Sequence, residues 1–410
     1  MQTILKEILN YCDVLATHTE QPGLIRRTFL SEPMKQTHAS VTSWMKDAGM
    51  KVRVDNAGNI IGRLESKNPN AKILMTGSHL DSVPDAGRYD GILGVMLGIG
   101  IAKSLNDTPL DFHFDVIGFS DEEGVRYSMP YIGSLGIAGR LSPEMLARVD
   151  AQGISMKQAI KDFGLDSDAM DQVPYDFSKV IGFFEMHIEQ GPVLESENLE
   201  VGIVTGLVGQ SRVKLAFHGM AGHAGTVPMT HRKDAFMGVA QLAEFMEKYA
   251  RSVDGLVATI GMIELKPNGS NVVPGEAFFS LDIRHGDQGV LDEATEKILA
   301  RANEIASERD LKLELRTREK QAVVRCDSKL TDTMAATVEA CGFKPRRLVS
   351  GAGHDTATLS HVTPTTMLFI RSPGGISHNP VESVIAEDVG AALKVGVAFL
   401  KRINDGAGKV

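Results

Sequence analysis

Cysteine is scarce in this chain of 410 residues, which contains only Cys12, Cys326 and Cys341. The three are widely spaced, and none lies in a C-x-x-C motif. An odd, sparse set of this kind argues against a disulfide framework and favours reduced thiols that are bystanders to function. We therefore expect a cytoplasmic protein.

Positive charge is also in deficit, since the formal net charge is −9 while hydrophobic residues make up 43% and charged residues 23% of the chain. A nucleic-acid-binding surface needs an excess of basic side chains. Long apolar runs are missing as well: residues 1–20 lack the apolar core of a signal peptide, and no later stretch is long enough to cross a bilayer. We expect neither a nucleic acid nor a membrane as a partner.

The chain is longer than one simple core usually allows, so two domains are expected. Residues 71–82 are typical of a buried strand that enters a polar loop, and 112–119 of a second such strand. Between them, 91–105 is typical of a helix that packs closely through its glycines. Strands that alternate with helices predict an α/β domain in which ligands collect beyond the carboxyl ends of the strands.

The pattern changes near residue 209. Residues 211–218 and 311–317 alternate polar and apolar side chains, which is typical of half-exposed antiparallel strands. Between them lie helical segments at about 233–251 and 288–308 and strand-like runs at 256–265 and 276–285. This β-α-β-β-α-β order predicts a ferredoxin-like domain over 209–324, inserted into a domain formed by 1–208 and 325–410.

His79 stands where the first predicted strand ends, in the segment GSHLD. Because residues i and i+2 of an extended chain point to the same side, Asp81 could accept a hydrogen bond from the free imidazole nitrogen of His79. Asp90 follows in the segment GRYDG, and its two carboxylate oxygens could bridge two cations. Taken one at a time, a surface H-x-D turn and a helix-capping aspartate are the simpler interpretations.

Glu122 and Glu123 follow the second predicted strand, where two adjacent carboxylates repel each other unless positive charge is nearby. A pair of metal ions would supply that charge, with one carboxylate as ligand and the other as proton acceptor. A solvated acidic turn is the alternative. His187 and His378 also occupy polar positions after apolar runs. Together, the histidines and carboxylates match the donor set of a two-metal hydrolytic site.

Eight ordered motifs make nearly the whole chain resemble the carbamoylase and allantoate amidohydrolase group of the M20 metallopeptidase-like family. They are GSHLDSV at 77–83, YDGILGV at 89–95, DEEGVRY at 121–127, EMHIEQGPVLE at 185–195, GHAGTVPM at 222–229, NVVPG at 271–275, GAGHD at 351–355 and GISHNP at 375–380. The resemblance implies a mixed-sheet α/β catalytic domain. It also implies that the inserted α+β domain is a lid and joins two copies of the chain into a homodimer.

The resemblance implies a site for two divalent metal ions. One ion would be bound by His79 and His187 and the other by Glu123 and His378, with Asp90 shared. Mn²⁺, Zn²⁺ and Co²⁺ all accept such ligands. Glu122 would be the general base. Peptide-cutting relatives usually carry an acidic ligand at the position of His187, so this histidine favours a ureido carboxylate over a peptide as the small-molecule substrate.

The resemblance also implies residues that contact the substrate. His223 would stabilise the developing oxyanion, often in the partner subunit's site, and Arg284 would bind a substrate carboxylate through both of its oxygens. The remaining expected substrate contacts are Gln190, Gln210, Asn271, Gly353 and His354.

Gln210 and Gly353 resemble the allantoate amidohydrolase versions of their motifs, since N-carbamoyl-amino-acid hydrolases tend to have an apolar residue and GAAHD there. We therefore expect hydrolysis of a ureido C–N bond of allantoate, with release of ammonia and carbon dioxide. N-Carbamoyl-L-amino acids are the first alternative substrates. A dipeptidase or aminoacylase would release no ammonia from ureido compounds, and a non-catalytic binding module would lack ligands or the base, which are all present here.

Overall fold

The structure, a computed structural model, describes residues 1–170, 172 and 174–407. The chain divides into two compact units. The first unit consists of Met1–Thr205 and the chain from Arg325 onward, and the second of Gly206–Val324. Within the part of the chain that the structure describes, no helix is both long and apolar enough to span a bilayer.

Helices and strands alternate along most of the chain. The helices are α1 (Gln2–Ala16), α2 (Glu32–Asp47), α3 (Ile92–Leu105), α4 (Ile132–Ile137), α5 (Pro143–Leu146), α6 (Met156–Phe163), α7 (Val193–Ser196), α8 (Ala235–Ser252), α9 (Gln288–Glu308), α10 (Ser328–Ala340), α11 (Asp355–Leu359) and α12 (Ala386–Arg402). The strands are β1 (Lys51–Val54), β2 (Ile60–Leu64), β3 (Ile73–His79), β4 (His113–Phe119), β5 (Val180–Ile188), β6 (Val201–Leu207), β7 (Gly209–His218), β8 (Gly222–His223), β9 (Val257–Lys266), β10 (Val272–Val273), β11 (Glu276–His285), β12 (Lys312–Gln321), β13 (Val324–Arg325), β14 (Arg347–Ser350) and β15 (Thr365–Ile370).

The first unit is built on a mixed sheet whose strands run in the order β1-β2-β4-β3-β5-β15-β6-β13, with β14 also paired to β6. Strand β3 pairs in parallel with β4 and β5, and β5 pairs in parallel with β15. Every residue of β3, β4 and β15 is buried, as expected for parallel strands that are covered on both faces. The carboxyl ends of these strands therefore meet at one edge of the sheet. The prediction of a mixed-sheet α/β domain is confirmed.

Helix α3 packs against this sheet through its glycines, as the sequence predicts. A side chain at Gly94 would overlap the carbonyl oxygen of Met186 on β5, and a Cβ at Gly98 would lie 2.7 Å from Val116 on β4. Both positions allow the helix axis to approach the strands more closely than a larger residue would permit. This close packing fixes the start of α3, and with it the position of Asp90, relative to the ends of the strands.

The second unit is an antiparallel sheet in the order β12-β7-β11-β9, with α8 and α9 packed on one face. Its elements follow one another as β7-α8-β9-β11-α9-β12, apart from the short β8–β10 ladder, so the predicted ferredoxin-like order is confirmed. Both helices begin at an aspartate whose carboxylate accepts backbone N–H hydrogen bonds, Asp234 for α8 and Asp287 for α9. The apolar residues of the alternating strands face the two helices.

Candidate metal centre

The predicted ligands of the first unit converge at the carboxyl edge of its sheet. We call His79, Asp90, Glu123, His187 and His378 the Asp90 cluster. Ligand atoms of His79, Asp90 and His187 lie within 4.8 Å of one another, and so do those of Asp90, Glu123 and His378. Asp90 belongs to both groups, as a bridging carboxylate would.

Strand ends and one glycine fix the centre of the Asp90 cluster. His79 is the last residue of β3, and His187 is the residue before the end of β5. Asp90 lies one residue before Gly91, the N-cap of α3, which has a φ of +70°. A Cβ at Gly91 would also come within 2.5 Å of the His79 ring. Glycine is therefore required there for both backbone conformation and space.

The imidazole rings present the same nitrogen to Asp90. His79 Nδ1 lies 3.2 Å from the backbone carbonyl oxygen of Asp81, and His187 Nδ1 lies 2.9 Å from that of Ile188. If each Nδ1 carries the proton, each Nε2 keeps a lone pair, which is the form that binds a metal. The two Nε2 atoms lie 3.5 Å and 3.2 Å from Asp90 Oδ1. Nε2 of the more exposed His378 lies 3.2 Å from Asp90 Oδ2.

Two buried atoms of the Asp90 cluster test whether it fits a cation. His187 Nε2 and Asp90 Oδ1 are both buried, and neither has a hydrogen-bond partner among the described residues. Buried polar atoms are nearly always satisfied, because an unsatisfied one costs about 1–3 kcal/mol. An imidazole nitrogen and a carboxylate oxygen are both ligands that Mn²⁺, Zn²⁺ and Co²⁺ accept. The residues therefore fit a divalent ion.

The carboxyl groups in and beside the Asp90 cluster have strongly shifted pKa values. Although burial opposes ionisation, the nearby imidazoles of His187, His378 and His79 hold the pKa of Asp90 well below its usual range. Burial, together with repulsion from neighbouring carboxylates, raises the pKa of Glu122 well above its usual range and that of Glu123 to about 7. A cation at this place would favour the ionised form of both glutamates.

Asp81 has a wider set of contacts than the predicted hydrogen bond with His79. Its carboxylate accepts the backbone N–H groups of Glu122 at 2.9 Å and Glu123 at 3.1 Å, while Asp81 Oδ1 lies 3.3 Å from His79 Nδ1. One buried aspartate thus connects the loop after β3 to the loop after β4. This connection sets the spacing between the imidazole of His79 and the two glutamates.

Gln190, expected to contact the substrate, hydrogen-bonds to the Asp90 cluster in this structure. Its side-chain nitrogen donates to Asp90 Oδ2 at 3.0 Å and lies 3.2 Å from Ser377 Oγ. The residue has a φ of +58°, which is uncommon outside glycine, so its backbone is held in a strained conformation. Such strain is often found at functional sites.

His354 and Gly353 lie on the loop before α11. His354 is buried, its Nε2 lies 2.9 Å from Ser350 Oγ, and its ring centroid is 4.4 Å from that of His187. Burial lowers the pKa of His354 well below its usual range, so the ring is neutral. A Cβ at Gly353 would overlap the hydroxyl group of Tyr131. The glycine of the GAGHD motif therefore leaves space for a tyrosine.

The predicted substrate residues of the second unit form two pairs. On the four-stranded sheet, Gln210 and Arg284 lie opposite each other on β7 and β11 and both contact Asp282. On the β8–β10 ladder, exposed His223 is paired with Val272, the residue after Asn271.

Asp282 holds both of its neighbours through charge-assisted contacts. Arg284 donates to both carboxylate oxygens, at 2.8 Å and 3.0 Å, and the Gln210 side-chain nitrogen donates to Oδ2 at 2.7 Å. Although burial opposes it, these hydrogen bonds hold the pKa of Asp282 below its usual range. Asp282 was missed by the sequence reasoning, although it stands two residues before Arg284 on the same face of β11.

Two further residues were missed near His378. Ser377 Oγ lies 2.9 Å from Asp90 Oδ2, and Glu382 accepts the backbone N–H of Asp90 at 3.1 Å. The only signal in the sequence that points to them is their position, Ser377 within the GISHNP motif and Glu382 two residues after it.

Comparisons with known proteins agree on one family. The model of peptidase family M20/M25/M40 matches residues 75–402. An N-carbamoyl-L-amino acid amidohydrolase of Geobacillus stearothermophilus is 39% identical over 91% of this chain and 91% of its own length. An allantoate deiminase of Arabidopsis thaliana is 36% identical over 94% of this chain and 78% of its own length. The crystal structure of an amidase of the hydantoinase/carbamoylase family from Burkholderia multivorans is 33% identical, with a TM-score of 0.91 over 97% of both chains.

Proposed function

This chain belongs to peptidase family M20/M25/M40, and we propose that within this family it hydrolyses a ureido C–N bond of allantoate. It is a hydrolase of the carbamoylase and allantoate amidohydrolase type, which acts on C–N bonds. The observation that carries the proposal is the Asp90 cluster, in which His187 Nε2 and Asp90 Oδ1 have no hydrogen-bond partner among the described residues and His79 is grouped with Glu122 and Glu123. The choice of allantoate depends on Gln210.

The Asp90 cluster would hold two divalent metal ions. His79 and His187 would bind one and Glu123 and His378 the other, with one oxygen of Asp90 directed to each pair. Mn²⁺, Zn²⁺ and Co²⁺ suit these imidazole and carboxylate donors. Bound there, such ions supply Lewis-acid polarisation of a carbonyl and acidify water near neutral pH.

Glu122 is the proposed general base. Its side chain is buried, and its backbone N–H is held by Asp81. Burial raises the pKa of this carboxyl group, which strengthens it as a proton acceptor. Glu122 takes a proton from water as the water oxygen attacks the ureido carbonyl carbon. It then gives the proton to the nitrogen that leaves as ammonia, and the resulting carbamate loses carbon dioxide.

The second unit would supply the groups that bind the substrate. Arg284 presents a planar guanidinium, already oriented by Asp282, to the substrate carboxylate. His223 would stabilise the developing oxyanion, and Asn271, the residue before β10, would donate a hydrogen bond. The Gln210 side-chain nitrogen donates to Asp282, and its side-chain oxygen would accept from the second ureido group that allantoate carries. We propose that this unit also joins two chains into a homodimer, as in the family that the chain resembles.

N-Carbamoyl-L-amino acids are the second candidate substrates. The 39% identity to an N-carbamoyl-L-amino acid amidohydrolase, slightly above the 36% to an allantoate deiminase, favours them. Both substrate classes share a ureido group and a carboxylate. They differ in whether a second ureido group is present to contact Gln210.

A substrate panel tests the proposal. The purified chain is stripped with a chelator, reconstituted with Mn²⁺ or Zn²⁺, and assayed for ammonia release from allantoate and from N-carbamoyl-L-methionine. We expect a much higher kcat/KM for allantoate than for N-carbamoyl-L-methionine, and no turnover of either compound before metal is added. Comparable values for both compounds would defeat the assignment to allantoate alone. Cleavage of a dipeptide without ammonia release from either compound would defeat the ureido assignment.

A further inference from the structure

We propose that Glu382 is a positioning residue of the metal centre, which holds the loop carrying Asp90 and the loop carrying His378 in a fixed relation. The inference rests on the metal-binding role proposed above for the Asp90 cluster. Glu382 lies four residues after His378 and is only 5% exposed. A carboxylate this deeply buried is normally tied to specific partners, because removing its charge from water is costly.

One oxygen of Glu382 holds the backbone that precedes α3. Its Oε1 accepts the N–H of Tyr89 at 2.9 Å and the N–H of Asp90 at 3.1 Å. Because Asp90 is the residue shared by both metal positions, these bonds fix the Cα from which its carboxylate extends. The two contacts join positions that are 293 and 292 residues apart in the sequence.

The other oxygen of Glu382 acts through Ser377. Ser377 Oγ lies 3.0 Å from Glu382 Oε2 and 2.9 Å from Asp90 Oδ2, and it can accept from the side-chain nitrogen of Gln190 at 3.2 Å. The hydroxyl has one proton, so it donates to one carboxylate at a time. Gln190 donates to Asp90 Oδ2, and Ser377 donates either to that oxygen or to Glu382 Oε2. The carboxylate plane is thereby set so that Oδ1 faces the imidazoles of His79 and His187.

The surroundings of Glu382 are shaped to it from two sides. Its own N–H donates to the carbonyl of Asn379 at 3.0 Å, which closes the turn that follows His378. His378 has a φ of +53°, a conformation that persists only when neighbouring contacts enforce it. On the other side, a Cβ at Gly87 would overlap the Glu382 carboxylate. A side chain at that position would displace the glutamate.

Glu382 is not placed as a ligand itself. Its Oε1 already accepts two backbone N–H groups and its Oε2 lies against the Ser377 hydroxyl, and it belongs to none of the groups of described residues whose atoms could share an ion. Residues in this position around a metal site orient the ligands, and their loss usually costs about 10–100-fold in metal affinity.

The test is Mn²⁺ binding by titration calorimetry on full-length, chelator-stripped protein. Glu382→Ala should weaken Mn²⁺ binding by about 10–100-fold. Glu382→Gln should rescue most of this loss, because an amide oxygen still accepts both backbone N–H groups and the amide nitrogen can donate to Ser377. Ser377→Ala removes only the hydroxyl connection and should give an intermediate loss. Thermal unfolding of each variant in excess chelator reports separately on the fold.

Two controls separate the possible failures. His79→Ala removes a proposed ligand. Asp327→Ala removes the cap of α10 at the opposite edge of the sheet, where the Asp327 N–H donates to the carbonyl of Thr365, the first residue of β15. Wild-type protein that binds no Mn²⁺ would overturn the proposed metal centre itself. If wild type binds and His79→Ala does not, wild-type affinity in Glu382→Ala would overturn the role of Glu382 alone. If Glu382→Ala does not fold, wild-type affinity in both Glu382→Gln and Ser377→Ala would overturn it, whereas a loss in Ser377→Ala would support it.

Discussion

The two units of this protein differ in whether the polar atoms of their predicted binding residues are already paired. In the first unit, the Asp90 cluster is mostly buried and leaves His187 Nε2 and Asp90 Oδ1 without hydrogen-bond partners among the described residues. In the second unit, Gln210, Arg212 and Arg284 surround Asp282, and we call these four residues the Asp282 cluster. Here the guanidinium of Arg284 is already engaged by a carboxylate of the chain itself.

The difference follows from what each cluster is expected to bind. A metal ion needs free lone pairs, and the energy it releases offsets the cost of keeping those lone pairs unpaired and buried. A substrate carboxylate needs donors in a fixed plane, and Asp282 supplies that orientation through two hydrogen bonds to Arg284. Unpaired buried atoms therefore suit the proposed metal ions, and the proposed carboxylate site has an arginine whose plane Asp282 already fixes.

The largest expected effect separates proton transfer from metal binding within the first unit. Glu122→Gln keeps the size of the side chain but cannot accept a proton, so kcat should fall by about 10²–10⁴-fold. Mn²⁺ affinity should stay close to that of the wild type. Ammonia release and calorimetric titration measure the two quantities on the same preparation.

The neighbouring glutamate is the matched control for this prediction. Glu123→Gln alters a proposed ligand, so it should lower Mn²⁺ affinity as well as turnover. Near-normal kcat in Glu122→Gln would remove Glu122 from its role. Equal loss of metal affinity in both variants would show that proton transfer and metal binding are not separated between the two adjacent carboxylates.

The next effect should fall on substrate binding and spare the metals. Arg284→Lys replaces a planar fork with a point charge and cannot bind a carboxylate through two parallel hydrogen bonds. Hydrogen bonds to charged groups contribute about 1.5–3 kcal/mol, so KM should rise by about 10–100-fold. Steady-state kinetics with allantoate gives KM, and Mn²⁺ titration should show no change.

Arg212, on the neighbouring strand β7, provides a control on the same face of the sheet. It lies 3.5 Å from Asp282 Oδ2, and its side chain is 60% exposed, so Arg212→Lys should change KM little. A rise in KM of similar size in both variants would mean that positive charge in general, and not the fork of Arg284, attracts the substrate.

Much of this arrangement could be predicted from the sequence, because strand ends fix positions. His79 was expected at the end of a buried strand and His187 after an apolar run, and they lie at the end of β3 and one residue before the end of β5. The predicted bounds 276–285 and 288–308 coincide with β11 and α9. In the second case Asp287 caps the helix and gives it a sharp start.

The contacts between loops could not be predicted in the same way. Periodicity tells which face of an element is buried, but it does not tell which distant loop a buried carboxylate will meet. Glu382 hydrogen-bonds to a residue 293 positions earlier, and Asp81 binds the backbone 41 positions later. Gln190 was expected to contact the substrate, yet in this structure its side-chain nitrogen donates a hydrogen bond to Asp90. Only the folded arrangement distinguishes such residues from solvated polar side chains.

A smaller effect tests whether the loop before α11 is as closely fitted as the Asp90 cluster. Gly353→Ala adds a methyl group that overlaps the Tyr131 hydroxyl, and we expect a loss of about 1–3 kcal/mol in the free energy of unfolding. Tyr131→Phe removes the overlapping oxygen and leaves Cζ at 3.1 Å from the added carbon. The double variant should recover most of the stability in urea denaturation.

The matched control is Gly351→Ala, where a Cβ would meet nothing within 4 Å. Its free energy of unfolding should therefore stay close to that of the wild type. A double variant no more stable than Gly353→Ala alone would contradict the pairing of Tyr131 with Gly353.

The smallest effect is a change in substrate preference at the Asp282 cluster. Gln210→Met keeps the length of the side chain and removes the oxygen that, in our proposal, accepts a hydrogen bond from the second ureido group of allantoate. A neutral hydrogen bond contributes about 0.5–1.5 kcal/mol, so kcat/KM for allantoate should fall by about 2–13-fold. The value for N-carbamoyl-L-methionine, which has no second ureido group, should hold steady. The ratio of the two values is the informative quantity, because damage to Arg284 or to the metal centre would lower both together. A fall of equal size for both substrates would mean that Gln210 acts only by holding Asp282, and that substrate choice lies elsewhere in the site.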